Sequence, residues 1–386
     1  MSDVKLSELL KGRDFLPSRS GPLWSGPEGI GPQGGITQSL LGKFLQCRER
    51  FRCLVIDGVK AHDRFDHRMF YGNVWHVCEE ALAGEKDWKD AALQYARNGA
   101  TQYKFDTEAI THWHRVCLIQ FPIYVDYWSK HPDVVKRTPL MEEQMFDVPY
   151  MLPSGRVVRL RGKFDSVDLV HESTNEGIWL QENKTKGDID ESKVQRQLSN
   201  DLQSMLYLVA LKWLNEHDES GNGLSSPKDR FGASVKGVRY NVIRRPLSGG
   251  IGTIKQTGKE SSDEFYARVR GYIDGTGFDG KKNPTPGPSH YFMRWETPIS
   301  QVDIDRFRYR SLDPILEQLC NWYEFVSNNA NPFIDLAGDH QGIHWQTPFG
   351  SGNSLLDDYG TDLDDYIATG NMTGLRIVDN LFPELV

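Results

Sequence analysis

Asp165, Glu182 and Lys184 flank a short polar segment, His171 to Gly177, in a stretch otherwise rich in alternating and β-branched residues. Arg156 to Val170 and Ile178 to Lys184 both read as strands, with the polar segment as the loop between them. If they pair as a hairpin with Val170 opposite Gly177, Asp165 falls opposite Glu182. Facing residues of an antiparallel pair have Cβ atoms ~4.5 to 5.5 Å apart. Side chains alternate along a strand, so Glu182 and Lys184 share a face and Asn183 points away. Two carboxylates that close repel each other and resist burial unless a cation lies between them. Such an oxygen-rich site suits Mg2+ or Mn2+, which also take a phosphate oxygen and a water. The ion would acidify the water and neutralise charge at phosphorus. A lysine on the same face can orient the water or steady that charge. This is the chemistry of phosphodiester hydrolysis. A lone Glu-x-Lys carries almost nothing, and an exposed salt-bridge cluster would look the same. Asp165 opposite, and Ile178 and Leu180 on Glu182's face, favour a cleft edge.

The elements that must position these residues follow from the spacing of apolar residues. The first 35 residues are rich in Gly, Pro and Ser and read as an irregular arm. A helix starts at Thr37, with Thr37 and Ser39 as caps and Leu40, Leu41, Phe44, Leu45 and Phe51 at helical spacing. Further helices fall at about Tyr71 to Leu82, Asp87 to Tyr103 and Glu108 to Trp128. Then the period changes to that of strands, with Glu143 to Met151 first and a turn at Pro153 to Gly155. One helix is expected over Ser192 to Asn215, carrying Gln203 and Tyr207 four residues apart on one face. A strand at Gly237 to Arg244, a helix at Glu260 to Ile273, a strand at Tyr291 to Trp295 and a helix at Val302 to Val326 complete the pattern. The tail beyond Asn331 reads as acidic and irregular.

Several of these segments together resemble the RecB-like branch of the PD-(D/E)XK nucleases, in the style of phage-encoded exonucleases. They are Gly162-Lys-Phe-Asp165, Gln181-Glu-Asn-Lys-Thr185 and Gln203-Ser-Met-Leu-Tyr207, in that order. Thr37 to Phe51 looks like that branch's opening helix, and Tyr71-Gly72-Asn-Val-Trp-His76 like its Gly-x-x-x-His motif. The resemblance implies an α/β, restriction-endonuclease-like core: a central mixed sheet flanked by helices, with a helical N-terminal region. It implies metal ligation by His76, Asp165, Glu182 and the backbone carbonyl of Asn183, with Lys184 as the catalytic lysine. It implies site support and DNA contact by Gln203 and Tyr207. Arg161 and Arg196, near the site in sequence, are candidates to track phosphates, and Tyr207 to stack on an unpaired base. The expected division is an arm at 1–35, a nuclease domain at 36–330 and a tail at 331–386. Within the domain, 36–140 is the mainly helical part, 141–245 the catalytic core and 246–330 its completion.

Composition sets the outer bounds. The chain has 386 residues, 38% hydrophobic and 25% charged, ordinary for a globular enzyme. Its net charge of -8 means that DNA, the expected partner, must be held by local basic patches. No apolar run is long enough for a membrane helix and no signal-peptide core is present, so a cytoplasmic protein is expected. Cys47, Cys53, Cys78, Cys117 and Cys320 are scattered and suggest buried thiols. Some relatives bind an iron–sulfur cluster through four cysteines. Cys47 fits the first place, but no cysteine follows Cys320, so no cluster is expected. No phosphate-binding loop of the helicase kind occurs, so any helicase or recombination protein would be a separate chain. Two other readings remain beside a DNA exonuclease: an endonuclease, and a non-catalytic DNA-binding or assembly protein on the same fold. A His-Asp phosphohydrolase, suggested by His62, Asp63 and His67, would need more ligands than this segment offers.

Overall fold

The computed structural model describes residues 22–46, 48–61, 65–131, 136–171, 176–187, 189–190, 192, 196, 198, 201–217, 234–246, 256, 258–277, 285–328 and 371–385. In chain order the elements are α1 Gln38–Gln46, β1 Val59–Ala61, α2 His67–Ala83, α3 Trp88–Gln102, α4 Thr107–Ser129, β2 Arg137–Met151, β3 Val157–Val170 and β4 Gly177–Lys186. There follow α5 Leu202–Glu216, β5 Val235–Arg244, α6 Ser262–Asp274, β6 Phe292–Pro298, α7 Gln301–Phe307, α8 Asp313–Asn328 and β7 Leu375–Ile377. They form two units, one from the spans 1–63, 145–163 and 302–386, the other from 64–144 and 164–301. No helix among the described residues is long and apolar enough to cross a membrane.

In the first unit the Gly- and Pro-rich arm is packed. Trp24 is fully buried, donates from Nε1 to the Gly35 carbonyl at 2.9 Å, and meets Phe51 and Tyr323 edge-on. Thr37 caps α1, its hydroxyl accepting the Leu40 N–H. The tail does not stay irregular where it is described. β7 pairs antiparallel with β1, Val59 opposite Ile377, and Phe382 is buried. The apolar Leu375 gives the segment something to bury, which its acidic surroundings hid.

The second unit holds most of the mixed sheet, whose order is β2-β3-β4-β5-β6. β3 pairs antiparallel with β4, β4 parallel with β5, and β5 antiparallel with β6. Parallel neighbours need a crossover, and α5 lies on that connection. Its buried run Ser204 to Leu211 packs against β4 and β5, which are themselves buried over most of their length. Pro139 sits in β2, at an edge of the sheet where a missing N–H costs no ladder bond. α2, α3, α4 and α6 close over an aromatic core that includes Tyr71, Trp75, Trp113, Phe121 and Phe265.

Two boundaries differ from expectation for one reason, an aspartate cap. α2 starts at His67, not at Tyr71, because Asp66 accepts the Arg68 N–H, so His67 is helical and not in a loop. His62 and Asp63 lie outside the described residues. The single helix expected over Ser192 to Asn215 is interrupted: Asp201 is extended, and its carboxylate caps the fresh helix α5 by accepting the Ser204 N–H at 3.1 Å. An aspartate inside an apolar stripe reads as an exposed helical residue, and only its φ and ψ reveal the cap.

Candidate metal centre

The hairpin register is the one the loop dictates. Val170 faces Gly177 and Ser166 faces Gln181. There the ladder stops. Asp165 takes the next rung with its side chain, Oδ2 accepting the Asn183 N–H at 2.8 Å. The two strands therefore part at the residues whose chemistry matters, and the parting divides the expected trio.

On one side Asp165 meets α2 and β2. His76 Nδ1 lies 4.0 Å from Asp165 Oδ1, and donor atoms of His76, Glu143 and Asp165 all lie within 4.8 Å of one another. Two nearby carboxylates and an imidazole suit a divalent cation. Glu143 was not singled out in the sequence. Its backbone φ of +47° is in the left-handed region, disfavoured for any residue with a Cβ by ~1 to 2 kcal/mol. Strain of this kind persists where the surroundings enforce it and marks functional positions. Burial in β2 alternates strictly only from Met145 onward, so Glu143 sits where the strand changes phase. Glu79, three residues after His76 on α2, was missed as well. It accepts a hydrogen bond from the Tyr124 hydroxyl at 2.9 Å, while its Oε2 is buried without a hydrogen-bond partner. Burial first, and then the Asp165 charge, push its carboxyl up to about 8. The i, i+3 spacing of His76 and Glu79 was the available signal.

On the other side Glu182 and Lys184 form a pair. Glu182 is fully buried, and its Oε2 accepts from Lys184 Nζ at 3.0 Å. Its Oε1 has no hydrogen-bond partner. Burial raises Glu182 to about 8, Lys184 opposes that rise, and the Asp165 charge adds to it. Asp165 and Glu182 are thus near enough to repel each other. Burial alone would lower the ammonium of Lys184, but Glu182, Asp201 and Asp165 outweigh it and the net direction is up. The side chain stays cationic. Gln203, from the first turn of α5, fixes it by accepting at 2.7 Å.

A buried carboxylate oxygen with no partner is costly, and Glu79 and Glu182 each present one. A cation near Asp165 would offset that cost, so the residues present fit a divalent ion. Gly72 lets α2 come close enough: a Cβ there would sit 3.2 Å from Thr185 Oγ1 on β4.

The remaining candidates are placed elsewhere. Tyr207 is buried and packs edge-on against Phe164 at 5.7 Å, so its ring is not available to stack on a base. Arg161, in the first unit, donates to the carbonyls of Pro32 and Gly34 and pairs with Asp147. Its guanidinium secures the arm. Arg196 donates to the Ser192 carbonyl and is exposed. Asn183 turns its side chain to Asn241, whose amide donates to it at 3.0 Å.

A mixed sheet whose strands part around clustered carboxylates and a neighbouring lysine is an α/β frame for a metal-binding site. The sequence profile of the PD-(D/E)XK nuclease superfamily matches residues 36–320, and the chain belongs to that superfamily. Its members are nucleases that use divalent metal ions. No curated protein matches. Among solved structures, the crystal structure of SSO0001 aligns over 71% of this chain and 84% of its own, at 12% identity and a TM-score of 0.23.

Proposed function

We propose that this chain is a divalent-metal-dependent deoxyribonuclease, an exonuclease of the RecB-like kind acting on DNA ends in recombination, repair or replication. The observation that carries the reading is the gathering of His76, Glu143 and Asp165 donors beside the buried Glu182–Lys184 pair. In this reading His76, Glu143 and Asp165 hold Mg2+ or Mn2+, and Glu182 and the backbone carbonyl of Asn183 complete the set from β4. What the ion supplies when bound is polarisation of a phosphoryl oxygen and a more acidic water. Lys184 stands as a fixed cation where charge builds on the phosphoryl oxygens during attack by water, as the bond to the leaving oxygen breaks. Gln203 keeps its ammonium from swinging toward solvent. The test is digestion of end-labelled and circular DNA with Mg2+, Mn2+ or a chelator. Linear strands consumed and circles left intact support an exonuclease, and nicked circles make it an endonuclease. Absence of metal-dependent cleavage on every substrate sinks the reading.

A further inference from the structure

The loop that joins α3 to α4 is tied down at both ends. The Tyr103 N–H donates to the Gly99 carbonyl at 2.8 Å where α3 ends, and the Asp106 N–H donates to the Tyr103 carbonyl at 3.0 Å, closing a tight turn. Phe105 is the third residue of that turn, and its ring is fully exposed. A lone exposed phenylalanine would need no explanation, but this one adjoins a hole. In the same unit α2 and α3 line a cavity of about 250 Å3. Four aromatic rings follow one another along its wall. The centroids are 5.5 Å apart from Tyr95 to Phe70, 5.6 Å from Phe70 to Phe65 and 5.7 Å from Phe65 to Tyr103. Phe70 is buried, whereas Phe65, Tyr95 and Tyr103 are half-buried and can be reached from outside.

We infer that this face is an interface between two copies of the chain, in which Phe105 of each enters the aromatic cavity of the other. Tyr103 lines the cavity and also opens the turn that carries Phe105, so knob and hole lie side by side. A two-fold axis beside the C-terminal end of α3 exchanges them, and the contact is self-complementary and closed. The sizes agree, since an apolar cavity of only ~150 Å3 already admits benzene. A phenyl ring entering this wall meets other rings, which attract it edge to face beyond what burial alone supplies. The charges agree as well. Lys104, beside the knob, is exposed. Asp66 is the one carboxylate among the described residues that line the hole, and no lysine or arginine is among them. Nothing in this contact depends on the nuclease reading.

Sedimentation equilibrium of the full chain tests this, and should give a dimer with a dissociation constant in the micromolar range. Phe105→Ser withdraws both rings and should weaken the dimer about 100-fold, a decade for each ring. The melting temperature of the monomer should not change, because the ring is exposed. Asn98→Trp, at an exposed position on the cavity wall, should block both holes and weaken association to a similar degree. Mixing the two variants is the decisive arm. The mixed dimer keeps one intact knob facing one intact hole, and should be about tenfold tighter than the dimer of either variant alone. A wild-type chain that stays monomeric up to about 1 mM, a dimer unaltered in both variants, or a mixture no tighter than its components overturns the interface.

Discussion

Two regions of this molecule concentrate charge on strand residues, and they treat it in opposite ways. In the first unit Arg159 and Arg161 share Asp147, and Arg159 donates to the Gly29 and Gly31 carbonyls as Arg161 does to those of Pro32 and Gly34. Each guanidinium there meets acceptors supplied by its own fold. In the second unit Glu143 and Asp165 gather with His76, and near them Glu79 and Glu182 each keep a carboxyl oxygen buried without a hydrogen bond. A satisfied cluster is a fastening. A cluster left unsatisfied at a cost in stability is poised for something the chain itself does not contain.

The contrast is open to attack in order of expected effect. Asp165→Ala removes the carboxylate that touches both sides of the parted strands, and should abolish both DNA digestion and Mn2+ binding seen by calorimetry. Retained activity would break the contrast outright. Lys184→Ala should lower kcat by about 10²- to 10³-fold, the scale of losing one fixed electrostatic group, with Mn2+ affinity retained. Glu143→Gln keeps the shape and removes the charge. It should weaken Mn2+ by at least the ~10-fold that follows loss of a group supporting a metal site, and an unchanged titration would remove Glu143 from the donor set.

The carboxyls raised by burial give a pH test. Glu79 and Glu182 have ordinary values of 4.5 and are held at about 8 in the fold. Between those limits these two groups bind more protons in the folded chain than in the unfolded one, so their contribution to metal-free stability falls as pH rises through that window. His67, His112, His114 and His290, lowered chiefly by burial, contribute in the opposite direction below 6.5. Melting temperatures in chelator should drop from about pH 7 to about pH 9, and Mn2+ should restore more at the upper end, because it replaces those protons. A flat profile would mean that the carboxylates are compensated in some other way. Smallest of all, Arg161→Ala should cost about 1 to 2 kcal/mol in denaturant unfolding and leave the rate of DNA digestion unchanged. A fall in kcat/KM without loss of stability would return Arg161 to phosphate binding.

Much of this architecture was legible. The loop from His171 to Gly177 set the hairpin register, and the apolar spacing placed α2, α3, α4 and α6 to within a few residues at most termini. Asp201 was illegible because its identity fits a helix surface as well as a cap, and the choice lies in the backbone. The burial of Tyr207 and the arm carbonyls that Arg161 meets were illegible because sequence proximity says nothing of burial or of partners distant in sequence. Glu143 was passed over because its importance comes from a left-handed kink that strand periodicity does not register.

The sequence by itself determined the strands and the register of the β3–β4 hairpin as far as Ser166 and Gln181, because strand period and loop length are local properties. Tertiary structure alone decided that Asp165 leaves the ladder and turns to His76 and Glu143, while Glu182 stays with Lys184. The reason is physical. A carboxylate takes whichever hydrogen bonds and charges surround it, and those come from α2, β2 and α5, elements far apart in the chain that meet only when the sheet has formed.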